Sequence, residues 1–397
     1  MTSKSTSLIH HPYVPPAGFV AAQPAVHRAS TVVFGSVKEM HERDWRDKSG
    51  YTYGLHGTPT TFTLEERLCE LEGGRYCTLA PSGLAAITLV NMAFLQSGDE
   101  VLLPDNVYGP NRAFVEVELA KWGISHQIYD PMNPQDLAAR IHAKTRLVWI
   151  EAAGSVSLEF PDGPELVRVV RAANAQRDPS TQRPVLTALD NTWGAGVAFQ
   201  PFDWGIDLSI HALTKYPSGG ADVLMGSVMT CDSDLHAVIQ MTHSRLGLGV
   251  AGDDAERVLR GIPSMVLRYQ QQDQTTRSLA TWATQQPAFA RVFHPALPDS
   301  PGHDAFVKTC SGAACLFSVV FDAKYTPAQV EAFCDRLQLF QLGYSWAGPM
   351  SLAVPYRLPT MRHLPWPYGG HLVRFAIGLE DAADLQADIA QALAGMA

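Results

Sequence analysis

Two charged residues stand at the ends of apolar runs in the stretch DNTWGAGVAFQPFDWGIDLSIHALTKYPSGG, residues 190–220. Asp190 closes PVLTALD, and Lys215 closes the alternating run DLSIHALTK. Both sit where a β-strand would run into the end of a buried sheet. A lysine is most often a surface residue, and Asp before Asn often starts a turn. Each therefore has an ordinary explanation alone. Together they form a chemical pair. A lysine in a desolvated pocket loses basicity and can form a Schiff base with a carbonyl. Pyridoxal 5'-phosphate needs such an amine for its aldehyde. It also needs an anion opposite its pyridine nitrogen, so that the protonated ring acts as an electron sink.

That cofactor also requires a phosphate site and a cover for its ring. APSGLAA, residues 80–86, follows the strand-like CTLA and enters a helical pattern. Ser82, Gly83 and Leu84 would offer backbone N–H groups at that helix start, although an ordinary N-cap looks the same. Thr214, next to Lys215, is a hydroxyl contact for the same phosphate. Tyr108 in PDNVYGPNR follows the strand-like EVLLPD, in the loop class suited to covering the ring. Its plain alternative is a half-buried turn tyrosine. Arg374 lies in HLVRFAIGLED among apolar residues. A buried guanidinium is costly without an anion, which a structural acid or a bidentate substrate carboxylate would supply.

Stepping outward along the chain, TFTLEERLCELEGG reads as a helix with a threonine start, apolar Leu64, Leu68 and Leu71, and a double-glycine stop. CTLA, EVLLPD, HQIYD, RLVWIEA and VLTALD then read as strands. They alternate with helices in SGLAAITLVNMAFLQSG, GPNRAFVEVELAKWG, PQDLAARIHA and GPELVRVVRAANAQ. This alternation predicts an α/β fold with a mainly parallel sheet covered by helices. In such sheets ligands bind beyond the carboxyl ends of the strands. Residues 1–60, rich in proline and glycine, form an expected irregular arm against something larger. Residues 61–255 form the expected large domain. The helical run at 253–286 leads into a smaller C-terminal α+β domain, 256–397, with strands in CLFSVVFD, around FQLGYSWAG and in LVRFAIGLED, and helices in TPAQVEAFCDRL and at the end.

Composition bounds the alternatives. The chain has 397 residues, 46% hydrophobic and 17% charged, with a formal net charge of -9. No basic footprint points to nucleic acid or an anionic membrane. The six cysteines are scattered without C-x-x-C spacing, as expected for free thiols in a cytoplasmic protein. The first residues lack the apolar core of a secretory signal, and no run of about 18 apolar residues suggests a membrane span. Fourteen histidines are present, but no H-E-x-x-H or comparable ligand spacing, so no metal is expected.

With these motifs in view, the chain resembles the cysteine/methionine-metabolism family of fold-type I pyridoxal-phosphate enzymes, and within it the bacterial cystathionine β-lyases. The resemblance runs over nearly the whole length. It is carried by YGLHGTPTTFTLEERLCELEGG, APSGLAA, EAAGSVSLEF, DNTWGAGVAFQPFDWGIDLSIHALTKY, VFHPALPDSPGH, SGAACLFS, YSWAGPMSL and VRFAIGLED. It implies a large domain with a mainly parallel seven-stranded sheet. It implies that Lys215 bonds to the cofactor aldehyde, Asp190 faces the ring nitrogen and Tyr108 stacks on the ring. Ser82, Gly83, Leu84 and Thr214 would hold the phosphate, and Arg374 the substrate carboxylate. Tyr53 would reach a neighbouring subunit's site, in a homotetramer built from two dimers.

The resemblance also sets the expected reaction. Ser345 and Trp346 in YSW, and Ala212 before Thr214–Lys215, resemble the β-lyases, which implies cleavage of L-cystathionine to homocysteine, pyruvate and ammonia in methionine biosynthesis and transsulfuration. Cysteine desulfhydrase, methionine γ-lyase and cystathionine γ-synthase are the rivals within the family, and a catalytically silent relative is the rival outside it. Two departures stand out. Leu55 occupies the place of an arginine that commonly binds the neighbour's phosphate. AGPMSL lacks a glutamate common before SL. His56, beside Leu55, offers a hydrogen bond and, when protonated, a charge; its alternative is to face solvent.

Overall fold

The computed structural model describes residues 3–11, 17–358 and 361–396. The arm carries α1 (Lys4–Ile9) and α2 (Val37–Glu42), so it is less irregular than its composition suggests. Leu8 of α1 is buried, and the Lys4 amine donates to Leu71 O at 2.8 Å. The large sheet then builds up through α3 (Pro59–Glu72), β1 (Tyr76–Ala80), α4 (Gly83–Phe94), β2 (Glu100–Pro104), α5 (Gly109–Ala113), β3 (Ser125–Tyr129), α6 (Pro134–Arg140), β4 (Thr145–Glu151), α7 (Gly163–Ala175), β5 (Leu186–Asp190), β6 (Leu208–His211), β7 (Gly226–Thr230) and α8 (Ser233–Leu246). The 32-residue α9 (Gly252–Ala283) leads to the second sheet. That part contains β8 (Phe289–Phe293), α10 (His303–Thr309), β9 (Leu316–Phe321), α11 (Pro327–Arg336), β10 (Gln341–Leu342), β11 (Leu352–Tyr356), β12 (Leu372–Ala376) and α12 (Ala382–Ala394).

The large sheet has seven strands in the order β1-β7-β6-β5-β4-β2-β3, with only β7 antiparallel to its neighbours. The smaller sheet runs β10-β11-β12-β9-β8 and is antiparallel except between β10 and β11. The mainly parallel sheet and smaller second sheet agree with the expected fold. Beyond the strands and helices expected, β7, β8, β11, α8 and α10 are also present.

Local chemistry sets the element ends. α3 begins at Pro59, two residues before the Thr61 start read from the pattern. Thr58 and Thr61 form a reciprocal capping box there, and Pro59 fits the first turn, where its missing N–H costs nothing. Gly73 ends the helix in the left-handed region at φ 74°. The YSW segment is a correction: only Gln341–Leu342 forms a strand, and Tyr344, Ser345 and Trp346 lie in an open loop ahead of β11. Ala347 turns that loop at φ 61°, which an extended strand cannot accommodate.

In β4, Leu147, Val148, Trp149 and Ile150 are all fully buried, as expected for a strand covered on both faces. A strand of this kind can end in an acid only by burying it. β4 ends in Glu151 and β5 in Asp190, and these two residues are register partners. The fold thus brings two acids to adjacent strand ends.

Candidate active site

Lys215 follows β6 in a tight turn, its N–H donating to Ala212 O at 3.0 Å. Its Nζ donates to Ser345 Oγ at 2.9 Å and lies 5.6 Å from the centre of the Trp346 ring. Burial first, and then the Arg374 charge, lower its pKa to about 8. A useful fraction of the amine is therefore neutral at mildly alkaline pH, the form a nucleophile requires.

Asp190 accepts the Thr192 N–H at 3.0 Å. Burial pushes its carboxyl above the ordinary aspartate range, against the pull of the Thr192 hydrogen bonds. A cation placed against it would reverse that shift. Behind it, fully buried Glu72 meets His211 Nδ1 at 2.7 Å, Ser209 Oγ at 2.6 Å and Asn191 Nδ2 at 2.9 Å. Burial alone would raise the Glu72 carboxyl, but His211 and the two further donors bring it below its usual range. This cluster clamps the end of α3 to β6 and to the residue after Asp190.

The start of α4 approaches the turn bearing Lys215. A Cβ on Gly83 would stand 2.6 Å from Ala212 Cβ, and one on Gly226 only 2.3 Å from Ser82 O. Ser82 caps the helix by accepting the Ala85 N–H at 3.0 Å. The first-turn amides of Gly83 and Leu84 have no acceptor within the helix. Thr214 Oγ1 accepts the Met225 N–H at 3.1 Å and donates to Met225 O at 3.3 Å.

Tyr108 stands just ahead of α5, with 38% of its surface exposed. Arg374, on β12, is 5% exposed. It donates to Ser155 O at 2.9 Å and its guanidinium lies 5.2 Å from the centre of the Tyr356 ring. Its Nε is buried without a partner, and no ion pair to an acid is seen among the described residues. Lys215, Asp190, Tyr108, Arg374, Thr214 and the Ser82–Leu84 turn all line one cleft of about 890 Å³, together with Ser345 and Trp346.

Two of the expected residues lie outside that cleft. Tyr53 is 47% exposed on the arm, in an isolated bridge with Thr31. His56 stacks on Trp45 at 4.6 Å, with Nδ1 3.0 Å from Thr52 Oγ1 and Nε2 3.4 Å from Ser244 Oγ. Burial lowers its pKa.

The donor set fits pyridoxal phosphate. A desolvated amine, a half-buried acid, free helix-start amides beside a glycine-opened turn, an aromatic ring and a buried guanidinium share one cleft. A mainly parallel sheet with this constellation at its strand ends defines a fold-type I pyridoxal-phosphate enzyme. The chain belongs to the Cys/Met metabolism PLP-dependent enzyme family, whose model matches residues 5–394. It is 38% identical to a putative cystathionine β-lyase of Rhizobium johnstonii over 95% of this chain and 92% of the relative. It is 35% identical to the cystathionine β-lyase of Haemophilus influenzae over 93% and 92%. Among solved structures, cystathionine γ-synthase of Xanthomonas oryzae in complex with aminoacrylate and cysteine matches with a TM-score of 0.88, at 26% identity, covering 100% and 99% of the two chains.

Among the cleft residues not singled out from sequence are Glu151, Ser155 and Tyr356. Glu151 carried the same signal as Asp190, an acid closing an apolar run. Tyr356 was hidden because Pro355 argues against a strand. Pro355 lies past the end of the two-residue β10, where its missing N–H breaks no ladder. Among the described residues no helix is long and apolar enough to cross a membrane.

Proposed function

We propose that this protein is a carbon–sulfur β-lyase that cleaves L-cystathionine, with uptake of one water, to homocysteine, pyruvate and ammonia. The observation that carries this reading is the convergence of Lys215, Asp190 and Arg374 on one cleft. The β-lyase relatives support the choice of reaction within the family, as does Trp346 against the Lys215 amine. When bound, pyridoxal phosphate supplies the carbonyl that takes the amino-acid nitrogen and a ring that takes up the electrons of the broken Cα–H bond.

This chain's residues do the rest. Arg374 binds the α-carboxylate and fixes which Cα bond faces the catalytic amine. Lys215 in its neutral form removes the Cα proton. Asp190 holds a proton at the ring nitrogen, and the Glu72 cluster keeps the neighbouring backbone in place. The Gly83 and Leu84 amides, with Thr214, receive the phosphate, and Tyr108 covers the ring. The expelled thiolate takes a proton from Lys215 or a tyrosine at the cleft. Ser345 and Trp346 hold the lysine side chain between proton transfers.

The arm extends this reading to an assembly of two dimers. Tyr53 is exposed on its own chain, as suits a residue that completes a neighbour's cleft. His56 would serve that neighbour's phosphate only by giving up its Thr52 or Ser244 contact. The expected setting is transsulfuration in the cytoplasm. Incubation with cystathionine, cysteine and methionine tests the reaction. Pyruvate with homocysteine from cystathionine is the expected outcome, and 2-oxobutyrate as the main keto acid would move the protein to the γ-eliminating branch.

A further inference from the structure

Glu151 is 5% exposed and lines the cleft at the end of β4, yet the chemistry above gives it no task. Its carboxyl accepts the backbone N–H of Tyr108, and two residues earlier in the same loop Asn106 O accepts the Ser155 N–H at 3.1 Å. Ser155 in turn offers its carbonyl oxygen to Arg374 Nη1 at 2.9 Å. Glu151 thereby holds the loop that carries the ring-covering tyrosine, and Asn106 bonds that loop to the one that holds the carboxylate-binding arginine. On neighbouring strands Asp190 is its register partner. Tyr108 and Tyr129 are the other titratable groups that act with it, from α5 and β3. Lys215 and Arg374 line the same cleft, but no ion pair with Glu151 is seen among the described residues.

Two carboxyl groups at adjacent strand ends, Glu151 buried and Asp190 half-buried, neither with a paired cation, cannot both ionise cheaply. Asp190 is the one with a charge to carry, against the ring nitrogen. Burial first, then the charge of Asp190, push the Glu151 carboxyl well above the ordinary glutamate range. A neutral carboxylic acid still has the lone pairs to accept an amide N–H group.

We propose that Glu151 is a positioning residue that fixes the Tyr108 amide and, through the Asn106–Ser155 bond, the Ser155–Arg374 contact as one unit. Of the two neighbouring acids it is the one that stays neutral. This rests on the roles given above to Tyr108 and Arg374. Glutamine can accept the same amide, whereas leucine of similar size cannot, and an amide left buried without an acceptor is costly.

The test compares Glu151→Gln and Glu151→Leu in the cofactor-loaded enzyme and in the cofactor-free chain. With cystathionine, Glu151→Leu raises KM roughly 5- to 150-fold, the range set by loss of a buried acceptor, with a smaller change in kcat. Glu151→Gln recovers most of that loss. Amide hydrogen exchange at Tyr108, read in the cofactor-free chain, accelerates in the leucine variant and not in the glutamine variant. Infrared difference spectra at neutral pH show a protonated carboxyl C=O band in the parent that Glu151→Gln removes. Equal KM for the two variants overturns the proposal, whether both are near the parent or both are raised. So does unchanged exchange in the leucine variant, or the absence of the protonated band. A parent that makes no pyruvate contradicts the lyase reading alone, and the exchange and infrared results then decide the case of Glu151.

Discussion

The Lys215 amine donates to Ser345 Oγ at 2.9 Å across 130 residues of sequence. This bond ties the turn after β6 to the loop that precedes β11, so a distant loop helps set the state of the Lys215 amine. Trp346 beside it adds an aromatic wall that keeps water away.

Removing Ser345 should therefore shift the titration of Lys215. The serine oxygen favours the ammonium, which needs an acceptor, so Ser345→Ala favours the neutral amine and lowers the midpoint. A hydrogen bond of about 0.5–1.5 kcal/mol corresponds to roughly half to one pH unit. Cofactor capture by the cofactor-free protein, followed by absorbance, should rise with pH through about 8 in the parent and through a lower pH in Ser345→Ala. An unchanged or higher midpoint would show that the contact does not act on the amine.

Arg374→Ala should weaken substrate binding with a smaller effect on later steps. A charge-assisted contact of this kind contributes about 1.5–3 kcal/mol, or roughly 10- to 150-fold in affinity. Steady-state kinetics with several amino acids give the comparison. If kcat/KM is unchanged for all of them, Arg374 serves only Ser155 and Tyr356 within the fold.

Glu72→Ala should cost stability. It removes the acceptor shared by His211, Ser209 and Asn191 in a fully buried cluster, and leaving buried donors without an acceptor costs about 1–3 kcal/mol. Urea unfolding of the parent and variant measures it. A loss below about 1 kcal/mol would mean that the cluster relaxes without its acid.

The parts of the site readable from sequence are those encoded locally. Asp190 and Lys215 close apolar runs, Ser82–Gly83 opens a helix, and Arg374 interrupts an apolar strand. Glu151 was equally readable, since RLVWIEA ends in the same way as VLTALD. The contacts that give these residues their work are tertiary. Nothing near Lys215 in sequence names Ser345 as its partner, and nothing near Arg374 names Ser155 or Tyr356. β7, GSVMT, is buried at all five positions, so it shows no polar–apolar alternation to detect. The start of α3 was misplaced because Thr61 is a plausible cap, and the reciprocal bond to Thr58 appears only in three dimensions.

The central claim is that Lys215 is the residue that both holds the cofactor and moves the Cα proton. Its most direct measurement is the visible absorption of purified Lys215→Ala after reconstitution and dialysis, alongside pyruvate release from cystathionine. The variant should lack the absorption band of the covalently held cofactor and should release no pyruvate above background. A variant that keeps the parent's band and turns over cystathionine at the parent's rate would contradict the assignment of Lys215.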